Sequence, residues 1–199
     1  MGNLVRWAIG PPYVVLLLAL AALPARADFE AGVAAARAGD YATALREWRP
    51  LAESGNRDAQ FNLALLYENG FGVPADGLEA ARWYRLAAEQ DDRSAQAYLG
   101  EMYAQGLGVA RDDIEALSWY KRAAERGHAA SQYNVGLFYA TGRGVAPSDV
   151  QAVAWITVAQ ENGAPATELL ATLRKHMSAG SLEEAKRLVE DVRRQCRVP

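Results

Sequence analysis

A chain of 199 residues is long enough for one continuous domain with its own core, so no second domain is required. Its 24 acidic residues outnumber its 21 basic residues, which gives a formal net charge of −3 at pH 7. Nucleic acids and anionic membranes recruit proteins through clustered Lys and Arg, so neither is an expected partner. The single cysteine excludes an internal disulfide.

The first 27 residues are predicted to be a signal peptide. Arg6 precedes an apolar run over residues 13–23, and Ala25, Arg26 and Ala27 form a small-x-small site, so cleavage is expected after Ala27. The run is shorter than the roughly 20 residues of a membrane-spanning helix; a retained anchor is the alternative. We therefore expect a periplasmic or secreted protein with no stable membrane anchor after cleavage.

Residues 28–57 are predicted to form a helix hairpin that caps the amino end of the fold. Helical spacing is evident over residues 29–38 and again at Ala44, Trp48 and Ala52. The turn between the two helices is short. Its sequence, Gly-Asp-Tyr-x-x-Ala at residues 39–44, resembles the tetratricopeptide repeat.

The central part of the chain repeats one pattern three times at an interval of 36 residues. The recurring positions are Tyr67/Tyr103/Tyr139, Gly70/Gly106/Gly142, Gly72/Gly108/Gly144, Ala80/Ala116/Ala152 and Trp83/Trp119/Trp155. A fixed period of this length indicates stacked supersecondary units. The three units are assigned to residues 58–93, 94–129 and 130–164.

Each unit is predicted to be a helix, a Gly-rich turn and a second helix. Gly70 stands where a helix commonly ends in a left-handed residue, Pro74 prevents the first helix from continuing, and Asp76 is placed to cap the second. Large Tyr and Trp side chains can pack over small residues that recur at one position, namely Ala64, Gly100 and Gly136.

These residues carry a family resemblance. The pattern Ala-x-x-x-Leu-Ala-x-x-Tyr-x-x-Gly-x-Gly-Val, followed by Ala-x-x-Trp-Tyr-x-x-Ala-Ala-Glu, resembles the Sel1-like repeat (SLR), a relative of the tetratricopeptide repeat with a longer turn. The match is close over residues 58–127 and weaker in the third unit, where Ile156 replaces the Tyr. The resemblance implies an all-α fold, a right-handed α/α superhelix of about five helix hairpins, and the predicted signal peptide makes this chain an exported bacterial member. The resemblance also implies a protein-interaction scaffold.

Function in a solenoid is expected at positions that the core pattern leaves free. In the first helix of a unit, Leu63, Ala64 and Tyr67 are assigned to the core, and the side chains on the opposite side should line a concave groove. The predicted groove residues are Phe61, Leu65, Glu68, Asn69, Ala97, Glu101, Gln105, Tyr133, Leu137 and Thr141. The alternative is that these side chains pack on the next helix or on the carboxyl end of the array.

Such a groove suits a protein or peptide segment from the cell envelope. Phe61 and Tyr133 would anchor the segment, and the Glu, Asn and Gln side chains would hydrogen-bond its backbone. The bound protein could be scaffolded or regulated; the sequence does not separate these roles. A second hypothesis keeps the fold but assigns binding of cell-wall peptidoglycan or its peptide stems.

No catalytic residue, cofactor or metal site is predicted. Ser118 and Lys121 form a Ser-x-x-Lys pattern, which makes a penicillin-interacting enzyme the third hypothesis. However, sister units carry Arg82 and Ala154 at the Ser position, which favours chance. The paired Gly motifs lack the Lys-Ser or Lys-Thr of a nucleotide-binding loop. His128 is expected at the carboxyl end of a helix.

Residues 165–199 are predicted to be capping helices. One should cover residues 167–177, and a capping box from Ser181 to Glu184 should begin another that runs to about Gln195. Cys196 is expected to be an exposed thiol near the end of the chain, with an intermolecular disulfide as the alternative.

Overall fold

The computed structural model describes residues 27–196, and within that range the secondary structure is entirely helical. The helices are α1 (Phe29–Arg37), α2 (Tyr41–Glu53), α3 (Arg57–Asn69), α4 (Gly77–Glu89), α5 (Arg93–Gln105), α6 (Asp113–Glu125), α7 (Ala129–Thr141), α8 (Asp149–Glu161), α9 (Thr167–Lys175) and α10 (Ala179–Gln195). Residues 1–26 of the predicted signal peptide lie outside the described residues. Of the ten helices in residues 27–196, none is both long and apolar enough to cross a membrane.

Consecutive helices pair as hairpins, and the second helix of each of the first four pairs packs on the following helix. The first helices of the three repeats place Leu63, Leu99 and Val135 at the same position, each with no exposed surface. Burying a side chain of this size contributes about 1.5–3 kcal/mol. The fold is an all-α solenoid, as predicted.

The predicted helix ends are confirmed. Gly70, Gly106 and Gly142 end α3, α5 and α7 with φ values of 70°, 77° and 71°, in the left-handed region that glycine tolerates best. A carboxylate oxygen of Asp76 accepts hydrogen bonds from the backbone N–H groups of Leu78 (3.0 Å) and Glu79 (3.1 Å). These contacts satisfy two of the amide groups that a helix start leaves free.

The second glycine of each turn permits close contact between units. A Cβ atom built on Gly144 would lie 2.3 Å from the backbone oxygen of Asp113, and one on Gly108 would lie 2.0 Å from that of Gly77. The turn therefore packs directly on the start of the preceding unit's second helix. This contact gives the glycine pair a structural role in the stack.

Large side chains pack over small ones as predicted. A Cβ atom on Gly100 would lie 2.8 Å from the ring of Tyr120, and one on Gly136 would lie 2.3 Å from Cγ1 of Ile156. The paired helices thus approach closely enough that a methyl group does not fit at either glycine.

The structure adds a core position that the sequence analysis does not assign. Gln60, Gln96 and Gln132 are 36 residues apart and at most 3% exposed. The side-chain N–H of each donates to a backbone oxygen at the end of the preceding unit's second helix, at 3.0 Å in all three cases; the acceptors are Ala52, Ala88 and Ala124. The glutamines therefore join consecutive units.

Tyr67, which the sequence analysis assigns to the core, packs against the core cluster at its edge and is half-buried. Its hydroxyl accepts a hydrogen bond from Arg49 of the preceding unit at 2.7 Å. The same contact recurs from Arg85 to Tyr103 and from Lys121 to Tyr139. A polar hydroxyl that can reach a cation at the unit boundary is not driven into the apolar interior.

The carboxyl end departs from the repeat geometry. Both α9 and α10 pack against α8. The N-cap of α10 is Ser178, whose hydroxyl accepts from the N–H of Ser181 at 3.1 Å, so the predicted cap at Ser181 is wrong. Ser178 has an extended backbone that turns its side chain toward the free amides, whereas Ser181 already lies inside the first turn.

Cys196 is half-buried against the cluster that includes Val189 and Val192, so the expectation of an exposed thiol is wrong. Helix α10 packs on α8, and Cys196, which is the C-cap of α10, lies against the same cluster. Burial raises the pKa of the Cys196 thiol above its ordinary value.

Candidate protein-binding groove

The structure brings three of the predicted groove residues into one open cavity. Phe61 of α3 and Ala97 and Glu101 of α5 line a space of 400 Å³. Further residues of the second and third units complete its wall, namely Ser94, Tyr98, Tyr120, His128, Ala130, Ser131 and Asn134. We call this the aromatic cavity. Its volume lies within the range of small-ligand and side-chain pockets.

An aromatic cluster forms one wall of the aromatic cavity. The Phe61 ring lies 5.8 Å from the Tyr98 ring and 5.7 Å from the Tyr84 ring, measured between centroids. Tyr84 and Tyr98 are stacked at 5.0 Å. Such pairs contribute about 0.5–1.5 kcal/mol beyond their buried area, so Phe61 is held in place by two neighbours and still presents part of its surface to the cavity.

Tyr84 and Tyr120 occupy the same repeat position but differ in their hydroxyl contacts. The Tyr84 hydroxyl donates to a carboxylate oxygen of Glu68 at 2.5 Å, and burial raises the pKa of Tyr84. The corresponding residue below Tyr120 is Ala104, and the Tyr120 hydroxyl has no hydrogen-bond partner among residues 27–196. Burial and the nearby Glu101 carboxylate raise the pKa of Tyr120 to about 12, so its hydroxyl is a donor at neutral pH.

The remaining polar groove residues differ in the hydrogen bonds that their side chains make within the chain. Gln105 donates to Glu101 at 2.8 Å. Asn69 and Thr141 donate to backbone oxygens one turn back in their own helices, at 2.9 and 2.7 Å. Glu101 remains exposed, and the wall of the aromatic cavity contains neither Lys nor Arg. The cavity therefore presents a carboxylate, a free hydroxyl and an aromatic face.

Tyr133 and Leu137 lie outside the aromatic cavity. Tyr133 is half-buried, packs against the cluster that contains Ala166 and Leu170, and lines a second cavity of 420 Å³. This outcome matches the alternative in which the residue packs on the carboxyl end of the array. The two cavities share Ala130 and Asn134 and so adjoin along α7.

Leu65 packs against the core cluster of the first units, and Leu137 is half-buried. The sequence analysis misses Tyr98, Tyr120 and Asn134 as cavity residues. Asn62, Tyr98 and Asn134 share one repeat position, next in sequence to the predicted Phe61, Ala97 and Tyr133. That varied position is the signal that could have identified Tyr98 and Asn134; it gives no indication of Tyr120.

His128 stands at the start of α7, and its predicted place at a helix end is wrong. Its ring Nδ1 accepts a hydrogen bond from the backbone N–H of Ser131 at 3.2 Å and lies 2.8 Å from the Ser131 hydroxyl. Asn56 and Asp92 cap the equivalent helices of the other repeats. Burial and the charge of Arg93 lower the pKa of His128 below its ordinary value, which keeps the ring neutral and able to accept.

The Ser-x-x-Lys pair does not assemble into a nucleophile and base. Lys121 donates to the Tyr139 hydroxyl at 2.9 Å and lies over that ring, whereas Ser118 is exposed and makes no hydrogen bond to Lys121 within residues 27–196. Over residues 27–196, no group of three His, Cys, Asp or Glu residues is placed to hold a metal ion.

Comparison with known proteins agrees with this architecture. The family model of the Sel1 repeat matches residues 57–92, 93–128 and 129–163, which together make up more than half of the chain. The chain belongs to the Sel1 repeat family. Proteins with this repeat are generally scaffolds for protein–protein interaction, and the repeat itself is a non-catalytic fold.

Two solved structures are similar to this SLR protein. A Sel1 repeat protein from Oxalobacter formigenes is 42% identical with a TM-score of 0.59, over 64% of this chain and 97% of the other. The protective antigen c5321 of uropathogenic Escherichia coli, which displays an SLR fold, is 28% identical with a TM-score of 0.59. That match covers 84% of this chain and 45% of the antigen, so the chain spans less than half of that relative. A search of curated proteins gave no match.

Proposed function

We propose that this SLR protein binds an extended segment of another protein across the aromatic cavity, and that the segment carries a basic side chain. The observation that carries the proposal is the exposed Glu101 carboxylate beside the rings of Phe61 and Tyr98. Aromatic surface anchors an apolar side chain, and the carboxylate favours a neighbouring Lys or Arg.

The first helices of three consecutive units supply the binding surface. Phe61 lies on α3, Tyr98 on α5 and Asn134 on α7, so the cavity crosses the stack. An extended peptide presents backbone carbonyl groups along its length, and the free Tyr120 hydroxyl can donate to one of them. The adjoining cavity at Tyr133 would extend the path of the same segment.

We also propose that the protein is exported and acts in the cell envelope. The support is the basic residue, apolar run and Ala25-Arg26-Ala27 site at the amino end. Sequencing the amino terminus of the protein purified from a periplasmic fraction should give a start at Asp28. A full-length chain recovered only from the cytoplasm would contradict export.

Selection from a random peptide library tests the binding proposal. We expect residues 28–199 to enrich peptides with a Lys or Arg next to an apolar residue. Phe61→Ala and Glu101→Gln should each weaken binding of the selected peptides about tenfold or more, as expected for a central interface residue. Ile114→Ala is the matched control, because Ile114 is 69% exposed and lies outside the cavity.

Helicity and thermal stability must be equal in all variants for the comparison to count. Failure to enrich any peptide, or binding that survives both cavity substitutions, would contradict the proposal. Sedimentation with purified peptidoglycan that is abolished by the same substitutions would instead favour the cell-wall hypothesis.

A further inference from the structure

A third cavity, between the carboxyl-terminal helices and α8, shares no wall residue with the aromatic cavity. It has a volume of 730 Å³, within the range of small-ligand sites. The apolar part of its wall includes Val153 of α8 with Leu182, Ala185 and Val189 of α10. A ligand can place one or two apolar side chains against this part of the wall.

The three cations on this wall differ in their ion pairing. Lys186 pairs with Glu183 at 2.6 Å, and Arg193 pairs with both Glu161 and Glu190. Arg174 lies in no ion pair within residues 27–196; its guanidinium donates to the Thr157 hydroxyl at 2.9 Å. One cation therefore remains available beside an apolar surface.

The guanidinium of Arg174 favours a ligand with a carboxylate group. A guanidinium has five N–H donors in a planar fork and binds a carboxylate through two parallel hydrogen bonds. The Thr157 contact leaves most of these donors of Arg174 unused. The combination of Arg174 with the apolar wall fits a carboxylate attached to a short apolar group.

We propose that this cavity binds the carboxyl terminus of a peptide that ends in an apolar residue. The carboxylate would pair with Arg174, and the last side chain would lie against Val153, Leu182 and Val189. Glu183 and Glu190 on the rim have oxygens that can accept N–H groups of the peptide backbone. A fatty acid offers no such donors.

Titration with defined probes tests the proposal. The probes are a short peptide ending in Leu-Val with a free carboxyl group, the same peptide as a carboxyl-terminal amide, and decanoate. The free acid should bind this SLR protein at least about tenfold more tightly than the amide, because the amide loses the charge-assisted hydrogen bonds.

Substitutions in α9 test whether Arg174 binds the carboxylate of the peptide. Arg174→Gln should reduce affinity for the free acid at least about tenfold, and Arg174→Lys should retain part of it. Lys175→Gln is the matched control: it removes one positive charge from the adjacent residue, which is exposed and outside the cavity wall. Circular dichroism checks that α9 is intact in each protein.

Equal affinity for acid and amide, equal effects of Arg174→Gln and Lys175→Gln, or no binding of the acid would each overturn the proposal. Tighter binding of decanoate than of the peptide would overturn the assignment to a peptide end. These outcomes do not depend on the aromatic cavity.

Discussion

The side-chain N–H of Gln90 donates a hydrogen bond to the side-chain oxygen of Gln60 at 2.7 Å, and so fixes the buried glutamine of the first repeat. Asn162 makes the same contact with Gln132 at 2.9 Å in the third repeat. In the middle repeat the equivalent residue is an arginine, and the side-chain oxygen of Gln96 has no hydrogen-bond partner in the described part of the chain.

Replacing that arginine should stabilise the fold. Arg126→Gln places an amide donor where Gln90 stands in the first repeat, and should raise the free energy of unfolding by about 1 kcal/mol. The ion pair of Arg126 with the exposed Asp91 is lost, at little cost on the surface. Urea denaturation measures the change, with Arg194→Gln as the control for removal of an exposed arginine. If Arg126→Gln raises the free energy of unfolding no more than the control does, the unpaired side-chain oxygen of Gln96 does not lower stability.

Two glycine substitutions should have opposite effects. Gly136→Ala introduces a methyl group 2.3 Å from Cγ1 of Ile156 and should lower stability by about 1–3 kcal/mol. Gly180→Ala in α10 meets only the Ser178 hydroxyl, at 3.8 Å, and should raise stability by up to about 1 kcal/mol through helix propensity. Thermal unfolding followed by circular dichroism at about 222 nm compares the two variants. Similar stability of both variants would contradict the close approach of α7 and α8.

Asp113 should contribute to stability in a pH-dependent way. It pairs with Arg143 at 2.5 Å and with Arg111 at 3.0 Å, and these hydrogen bonds lower its pKa to about 2. Because the unfolded chain has an ordinary Asp pKa near 3.8, the contribution is present above about pH 4 and is lost as the pH falls toward 2.

Asp113→Asn should therefore lower stability by about 1 kcal/mol at pH 7 and weaken its decline between pH 4 and 2. Asp149→Asn is the control, because Asp149 occupies the same first-turn position of the next unit but is exposed and in no ion pair among residues 27–196. Urea denaturation across this pH range measures both. Parallel curves for the two variants would contradict a stabilising role for the pair of Asp113 with Arg143 in the next unit.

His128 should make the start of α7 sensitive to mild acid. Its lowered pKa means that the unfolded chain binds the proton more readily, so stability is highest above the ordinary pKa of 6.5 and falls as the pH drops below it. Protonation also removes the acceptor that caps Ser131. His128→Asn installs the cap that Asn56 provides in the first repeat, and should reduce the loss of stability between pH 7 and 5.

The exposed His176 provides the matched substitution for this experiment. His176→Asn should leave the decline between pH 7 and 5 unchanged. If the two substitutions change the curve equally, the cap at His128 does not account for the effect.

Much of the fold follows from the period of the sequence. Turn residues such as Gly70 and Asp76 have one conformational role each, so their spacing locates the helix ends. Buried Gln60 is harder to predict, because glutamine is usually exposed and its position becomes clear only when the carbonyl of Ala52 is placed beside it. Ser178 and Ser181 are both suitable caps by residue type, and only the backbone at Ser178 decides between them.

The candidate groove can be predicted only in part, because the neighbours of its side chains come from other helices. Periodicity assigns a side to each helix but does not specify the neighbour at the end of the array. Phe61 meets another repeat and lines the aromatic cavity, whereas Tyr133 meets the cap formed by α9 and packs against it. Tyr120 is identified as a cavity residue only once its hydroxyl is compared with that of Tyr84.

Site-specific photo-crosslinking tests the central proposal most directly. A photoreactive amino acid at Ala97, inside the aromatic cavity, is compared with one at Ala110, which is exposed and outside it. With a peptide selected as above, we expect cross-linking from position 97 and none from position 110. Cross-linking from position 110 alone, or from neither position while the peptide still binds, would place the binding surface elsewhere.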